Sequence, residues 1–312
     1  MRGVGVFEFG GPEVLKVVDL PEVHAGPGEV RIRVHAAAVN PTDTGIRDGV
    51  RAEALSKIPP PYIPGMDAAG VVDEIGEGTE TDLKAGDAVM AMVIPQGTHG
   101  AYRESLVLPA DCVARAPAGA SHAEASTLPM NGLTARLSLD QLALKPGQTL
   151  AVTGAAGCYG GYMVQLGKAE GLRVIADASE ADEQLVKDLG ADVVVRRGDD
   201  IAARIRAVVP DGVDGLADGS VQNELVVGAV RDGGAVATVR GWRGNGERGI
   251  TFHRTWVFNY DHRADLLDQL RQQAEEGIVT LRVAATYPAE EAAAAHRRLE
   301  AGGTRGRCVI VF

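Results

Sequence analysis

The sequence predicts an α/β protein in two parts, a doubly wound parallel-sheet domain joined to a barrel-like β domain, and three observations predict it. Over residues 149–169 a short apolar strand runs into a cluster of small residues and then into a helix. Beyond that segment, strand-like and helix-like runs alternate as far as Val239, the pattern of a parallel sheet covered on both faces. Before it, roughly the first 120 residues hold many short strand-like runs broken by Gly and Pro, the texture of a compact β barrel.

Taken in order, the clearest early strands are 4–9, 30–34, 70–75, 88–93 and 101–108. Lys145, Pro146 and Gly147 then make a turn signal. Leu150, Ala151 and Val152 suit a buried parallel strand, and Tyr159, Met163 and Leu166 recur at helical spacing. In the connecting run Ala155, Ala156, Gly157, Cys158, Tyr159, Gly160, the residues Ala155, Gly157 and Gly160 occupy the G-x-G-x-x-G positions. Glycine at the second place lets the backbone approach a pyrophosphate, and glycine at the third lets helix and strand pack closely. The phosphates are expected on the helix N-terminus; a glycine-rich turn without a ligand is the bland alternative. Gly171 precedes a second strand, 173–176, and Asp177 follows it about 20 residues beyond the first small residue, where a dinucleotide fold reads the adenosine ribose. Strands at 192–195, 213–217 and 235–239 continue the alternation. A helix at 264–276, a strand at 281–284, an Ala-rich helix at 289–301 and a strand at 307–312 close the chain, which is expected to return here to the first domain. The 312 residues fit two domains of on the order of 100–200 residues each.

A formal charge of −11 with no basic block disfavours nucleic acid or an anionic membrane as the main partner. No apolar run approaches the roughly 20 residues of a membrane span, and the N-terminus lacks a signal-peptide core, so a cytoplasmic protein is expected. Cys112, Cys158 and Cys308 are far apart and odd in number, which points to neither a disulfide framework nor a structural zinc knuckle. Cys158 reads as a small residue that fits the phosphate turn, with a redox role as the alternative.

The runs AAAVNPTDTGIRDG (36–49), IPGMDAAGVVDEIGEG (63–78), LPMNGLTA (128–135) and AAGCYGG, with the tail YPAEEAAAAHRRLEAGGTRGRCVIVF, resemble the zinc-independent medium-chain dehydrogenases/reductases. The narrower resemblance is to their NADPH:quinone oxidoreductase, or zeta-crystallin-like, branch, and it covers nearly the whole chain. It implies a GroES-like β-barrel substrate domain over 1–122, a Rossmann domain over 123–284 and a return to the GroES-like domain over 285–312, with the active site in the cleft between domains. Zinc members of the wider superfamily place a Cys before T-D and a His-Glu pair after P-G; here those positions hold Asn40, Met66 and Asp67, so no metal is expected. Without a Lewis acid, hydride addition to a conjugated acceptor fits better than alcohol oxidation.

The resemblance further implies that Asn40 holds the substrate carbonyl or fixes the nicotinamide, that Asp43 orders the local backbone and Arg47, and that Thr134 lies near the nicotinamide. A turn asparagine and a helix-lining hydroxyl are the plain readings of Asn40 and Thr134. Family members with D-x-Y-x-R-x-G carry a tyrosine where this chain has Gly45, which implies an altered pocket. Tyr62 and His99 are candidates to fill that gap, with core packing and an exposed loop as their alternatives. Asp177 favours NADH, whereas Ser179, Arg196 and Arg197 lie where the quinone reductases recognise a 2′-phosphate; the expected cofactor is therefore NADPH, with NADH the lesser alternative. Val239 and Arg240 are expected beside the nicotinamide, Phe258 joins the cofactor-contact set, and the Gly-rich run 241–249 is a candidate flap. An apolar edge strand at 255–258 suggests a homodimer, as in family members. The expected function is reduction of a small-molecule quinone or enone, with a cofactor-binding sensor of little turnover and a zinc-free carbonyl reductase as alternatives.

Overall fold

The computed structural model describes every residue except Ser56 and Thr98, so Thr98, in the loop around His99, lies outside the described residues. Its strands are β1 (Arg2–Gly5), β2 (Lys16–Asp19), β3 (Glu29–Ala38), β4 (Asp67–Ile75), β5 (Ala88–Met92), β6 (Ser105–Pro109), β7 (Val113–Arg115), β8 (Thr149–Thr153), β9 (Arg173–Ala178), β10 (Val193–Arg196), β11 (Val213–Asp218), β12 (Val230–Thr238), β13 (Thr251–Arg254), β14 (Val283–Pro288) and β15 (Arg307–Val311). The chain divides into two compact units: Met1–Met130 with Phe258–Glu276 and Leu281–Phe312, and Asn131–Val257 with Gly277–Thr280.

In the first unit, β3 alternates buried Val30, Ile32 and Val34 with outward Arg31 and Arg33, so one face packs inward and the other meets water. The sheet runs β14-β15-β3-β4-β5-β7, with β6 also paired to β3. β15 lies antiparallel to β3, Val309 opposite Ala38 and Val311 opposite Ala36, which is the physical reason the C-terminus returns to this unit. The core joins Ile32, Ile63, Tyr102 and Leu106 from three segments of the chain.

The second unit is a six-stranded sheet in the order β10-β9-β8-β11-β12-β13, every pair parallel. β8 is buried along its whole length, as a strand covered on both faces must be. Strand order reverses between β8 and β11, and ligands in such sheets bind beyond the carboxyl ends of the strands at that switch point. Among the described residues no helix is long and apolar enough to cross a membrane.

Three elements depart from the sequence expectation. β1 stops at Gly5, since Val6 makes only an isolated bridge to Tyr62. The run 101–108 is strand only from Ser105, because Ala101 and Tyr102 give their N–H groups to Gly65 and Pro64 and Tyr102 O accepts from Val4. The expected edge strand 255–258 is not a strand: the edge is β13, and Val257–Tyr260 is a 3-10 turn. Thr255 turns inward there, its hydroxyl within hydrogen-bond distance of Ser138 and Gln141, while Trp256 points to solvent.

Candidate functional site

The turn after β8 is built for close approach. Gly154 has φ +70°, and a Cβ there would meet backbone of Gly219 at 2.9 Å. Gly157 caps the helix Cys158–Ala169 with φ −73° and ψ 174°, and its own N–H donates to Gly154 O at 2.9 Å within the turn. A Cβ on Gly160 would lie 2.3 Å from Gly154 O and 2.8 Å from Ala155 Cα, so only glycine lets the helix sit this close. Ala155, Ala156 and Cys158 are buried beside it. Tyr159 faces away from the turn, its hydroxyl 2.8 Å from Ser138 Oγ, and burial holds the phenol protonated.

Asp177, at the end of β9, is fully enclosed. One carboxylate oxygen accepts from Ala155 N at 3.1 Å and the other from Arg197 Nε at 3.1 Å. The acid expected to read a ribose thus also fastens the phosphate turn to the end of β10. Ser179 gives its hydroxyl to Asp182, and Arg196 is half exposed, with Glu180 3.8 Å away. Val239 is partly buried and Arg240 exposed just past β12. In the run 241–249, Trp242 Nε1 donates to Glu224 at 2.9 Å, its ring stands edge-on to Phe252, and Arg248 is bonded to Val227 O.

One participant was missed by sequence reading. Asp218, at the end of β11, accepts from Thr153 Oγ1 at 2.7 Å and from the N–H groups of Gln222 and Asn223. It holds a loop in which Val221 and Asn223 both adopt positive φ, a strained conformation that survives only where surrounding bonds enforce it. Its signal was positional: an acid at the carboxyl end of a strand next to the switch point.

In the first unit, Asn40 and Asp43 come together around the start of the helix Pro41–Arg47. Asn40 is fully buried, its Nδ2 donates to Asp67 Oδ2 at 2.6 Å, and its backbone N donates to Asp43 Oδ2 at 2.8 Å. Asp43 also accepts from Gly65 N at 3.2 Å and Tyr102 hydroxyl at 3.1 Å. Asp67 accepts in addition from Met130 N at 2.7 Å. Burial pushes both Asp43 and Asp67 up to about 7, against the hydrogen bonds that favour their charged forms. Beneath them Tyr102 lies 3.2 Å from His296 Nε2, and burial drives His296 down to about 3. Neither Tyr102 nor His296 stood out in sequence, since nothing in a lone Tyr in AYRES or a His in an Ala-rich helix marks a 194-residue separation as a contact. Arg47, expected to be held by Asp43, pairs with Glu300 instead.

The other residues singled out lie elsewhere. Tyr62 is in the barrel core, stacked on Phe9 at 5.4 Å, with its hydroxyl spent on Ile58 O at 3.0 Å. His99 is half-buried at a cavity shared with Cys112 and His262, and burial lowers its pKa. Phe258 belongs to the first unit, under the Arg51 guanidinium at 5.3 Å. Thr134 is buried on the helix Pro129–Leu142. Among the described residues a Cβ on Gly45 would meet Val50 at 3.9 Å and Arg51 at 4.0 Å, ordinary van der Waals contacts.

Comparison with known proteins decides the family. The alcohol dehydrogenase GroES-like domain matches residues 26–118, and the zinc-binding dehydrogenase family matches residues 189–310. Quinone oxidoreductase from Mus musculus is 32% identical over 100% of this chain and 98% of its own. The chain belongs to the medium-chain dehydrogenase/reductase superfamily, in its quinone oxidoreductase branch. It is an oxidoreductase of that superfamily, with the GroES-like and Rossmann-like architecture expected. Among solved relatives of this superfamily, an NAD-dependent alcohol dehydrogenase has a TM-score of 0.87 at 31% identity, covering 100% of both chains. A mycobacterial protein complexed with NADPH has a TM-score of 0.87 at 28% identity, again over 100% of both.

Proposed function

We propose that the chain is a cytoplasmic NADPH-dependent reductase of quinones or of α,β-unsaturated carbonyl compounds, working without zinc at the catalytic positions. The observation that carries this reading is the cradle at the end of β8, where a Cβ on Gly160 would fill the space between helix and turn and where Gly157 presents a helix N-terminus. The cofactor, when bound, supplies a hydride to the quinone or to the carbon β to the carbonyl. Cys158 and Tyr159 would hold its pyrophosphate through backbone N–H groups, while Gly157, whose own N–H is given to Gly154 O at 2.9 Å, would admit it by lacking a side chain. Arg197, already 3.1 Å from Asp177, offsets the carboxylate that would repel a 2′-phosphate, and the half-exposed Arg196 adds a second cation. Ser179, Val239 and Arg240 border the same strand ends.

Donor chemistry supports a catalytic centre without zinc. Where zinc relatives place ligands, Asn40 Nδ2 is a donor held by Asp67, Met66 Sδ accepts from Thr42 at 2.9 Å, and both oxygens of Asp67 are already filled. No soft anionic or imidazole ligand is present there, and these groups do not fit a zinc ion. In this reading Asn40 and Asp43 are positioning residues: their bonds fix the start of Pro41–Arg47 and, through Asp67, the N-terminus of the helix that carries Thr134. Tyr62 is committed to the core, so the proton that follows hydride addition is assigned to water. With glycine where family members carry a tyrosine, the pocket at Gly45 would be larger or differently shaped and less suited to a simple quinone.

The test is steady-state oxidation of NADPH with a panel of quinones and enones, followed by deuteride labelling. Sustained turnover with label on the β-carbon supports the proposal. Label on the carbonyl carbon would indicate a carbonyl reductase, and tight NADPH binding without turnover on any conjugated acceptor would indicate a sensor.

A further inference from the structure

The 3-10 turn Ala110–Cys112, between β6 and β7, meets the turn at Asp261 and His262 that precedes the helix Ala264–Glu275. Three unlike donor atoms converge there. Cys112 Sγ lies 3.6 Å from His262 Nδ1, His262 Nδ1 lies 2.8 Å from Asp111 Oδ1, and Cys112 Sγ lies 3.8 Å from Asp111 Oδ1. We propose that Asp111, Cys112 and His262 bind a single Zn²⁺ ion, with the fourth coordination position open to the adjoining cavity.

The spacing is that of a ligand set. Zinc bonds of about 2.3 Å to sulfur, about 2.0–2.1 Å to imidazole and about 2.0–2.2 Å to carboxylate put tetrahedral ligand atoms roughly 3.4–3.6 Å apart. Only the nitrogen–oxygen pair departs from that range appreciably, and it needs to open by roughly half an ångström to admit the ion. A nucleophile relay has a different geometry, with thiol and carboxylate on opposite ring nitrogens. Here both face Nδ1, so the imidazole cannot pass a proton between them, whereas all three atoms can face one ion. The remaining ring nitrogen, Nε2, lies 3.8 Å from Asp261 Oδ2, near the carboxylate partner that orients a metal-bound histidine. A cavity of about 350 Å³, lined by Met92, Ile94, His99, Cys112, Asp261 and His262, leaves room for water or a small ligand on the open position.

A thiolate, an imidazole and a carboxylate suit zinc and not magnesium or calcium, which take oxygen ligands. On binding, the Cys112 thiol proton leaves to solvent, and the imidazole proton resides on Nε2. The ion would clip the segment that re-enters this unit at Phe258 onto the barrel, where the helix Ala264–Glu275 already packs on β7. The three cysteines hide this site in sequence, because His262 stands 150 positions from Cys112.

Metal-free, reduced full-length protein is titrated with Co²⁺ and then with Zn²⁺. The expected result is one equivalent bound with a thiolate-to-cobalt charge-transfer band, displaced by Zn²⁺, and a Zn²⁺-dependent rise in melting temperature. Cys112→Ser removes the band, and His262→Ala, at an exposed position, weakens Zn²⁺ binding at least tenfold while the protein stays folded. Absence of the band in the wild-type chain overturns the proposal. So does a band that survives Cys112→Ser, or cobalt binding without a band that is lost in Asp67→Asn. None of these readouts depends on NADPH or on turnover.

Discussion

Replacing Gly157 with alanine separates cofactor binding from folding. The backbone there, at φ −73° and ψ 174°, is one that alanine adopts freely, and the only neighbour a Cβ meets is Gly154 O at 3.1 Å. Reduced freedom of the unfolded chain offsets that mild contact, so stability should stay within about 1 kcal/mol of the parent. Under the proposed function, the added methyl nevertheless lies where a pyrophosphate would approach the helix N-terminus. Losing one charge-assisted N–H bond costs about 1.5–3 kcal/mol, which is roughly a tenfold to 150-fold loss of affinity. Gly160→Ala is the contrast: its Cβ would lie 2.3 Å from Gly154 O, backbone that must retreat by about 1 Å, a strain of about 1–3 kcal/mol. Thermal melts and nicotinamide-fluorescence titrations of both variants read the two effects. Gly157→Ala should melt within a few degrees of the parent and bind NADPH at least tenfold more weakly, while Gly160→Ala should lose both stability and binding. Parental NADPH affinity in Gly157→Ala, or a melting temperature as low as that of Gly160→Ala, would refute the reasoning.

Three more predictions follow from the same geometry. Arg197→Ala leaves Asp177 with only the Ala155 N–H as a partner, so NADPH affinity should fall at least tenfold and NADH affinity much less; an unchanged ratio of dissociation constants would remove Arg197 from cofactor choice. Asp67 is raised to about 7 from 3.8, so between about pH 4 and 7 the folded chain keeps a proton that the unfolded chain releases, and this carboxyl's contribution to stability falls as pH rises. At about 1.4 kcal/mol per pH unit the window spans roughly 4 kcal/mol. His296, lowered to about 3, works in the opposite sense below pH 6.5, so the informative quantity is the difference between Asp67→Asn and the parent. The penalty of Asp67→Asn in denaturant melts should shrink from pH 4 to pH 8, and growth of the penalty would contradict the assignment. The edge strand β13 next to exposed Trp256 should pair two copies, so light scattering should give twice the mass of one chain at micromolar concentration, and a monomer would sink the dimer.

The sequence was most legible where local chemistry and topology coincide. Ala155, Gly157 and Gly160 announce the turn by their spacing, Gly160 because a side chain there would meet Gly154 backbone, and Asp177 sits one strand away at a predictable distance. The parallel strands β8 to β12 were readable from apolar runs, since a strand covered on both faces has little choice of composition. Less legible were the contacts made by long-range pairing. Tyr102, His296 and Asp67 acquire meaning only once β15 has closed the sheet against β3 and brought the tail beneath Asp43. The alternating Trp256 and Phe258 imitated a strand, but a buried Thr255 hydroxyl and the Arg51–Phe258 contact turn that stretch into a 3-10 corner. His99 and Tyr62 illustrate the same gap, because burial and partner choice, not residue type, separate a proton donor from a core residue.

The most direct test of the central claim is titration of the apo protein with NADPH and, separately, with NADH, followed by nicotinamide fluorescence or calorimetric heat. The account predicts micromolar NADPH binding with NADH much weaker, carried by the cradle at Gly157 and by Arg197 beside Asp177. Tighter NADH binding would transfer the decision to Asp177, and binding of neither nucleotide would contradict the account.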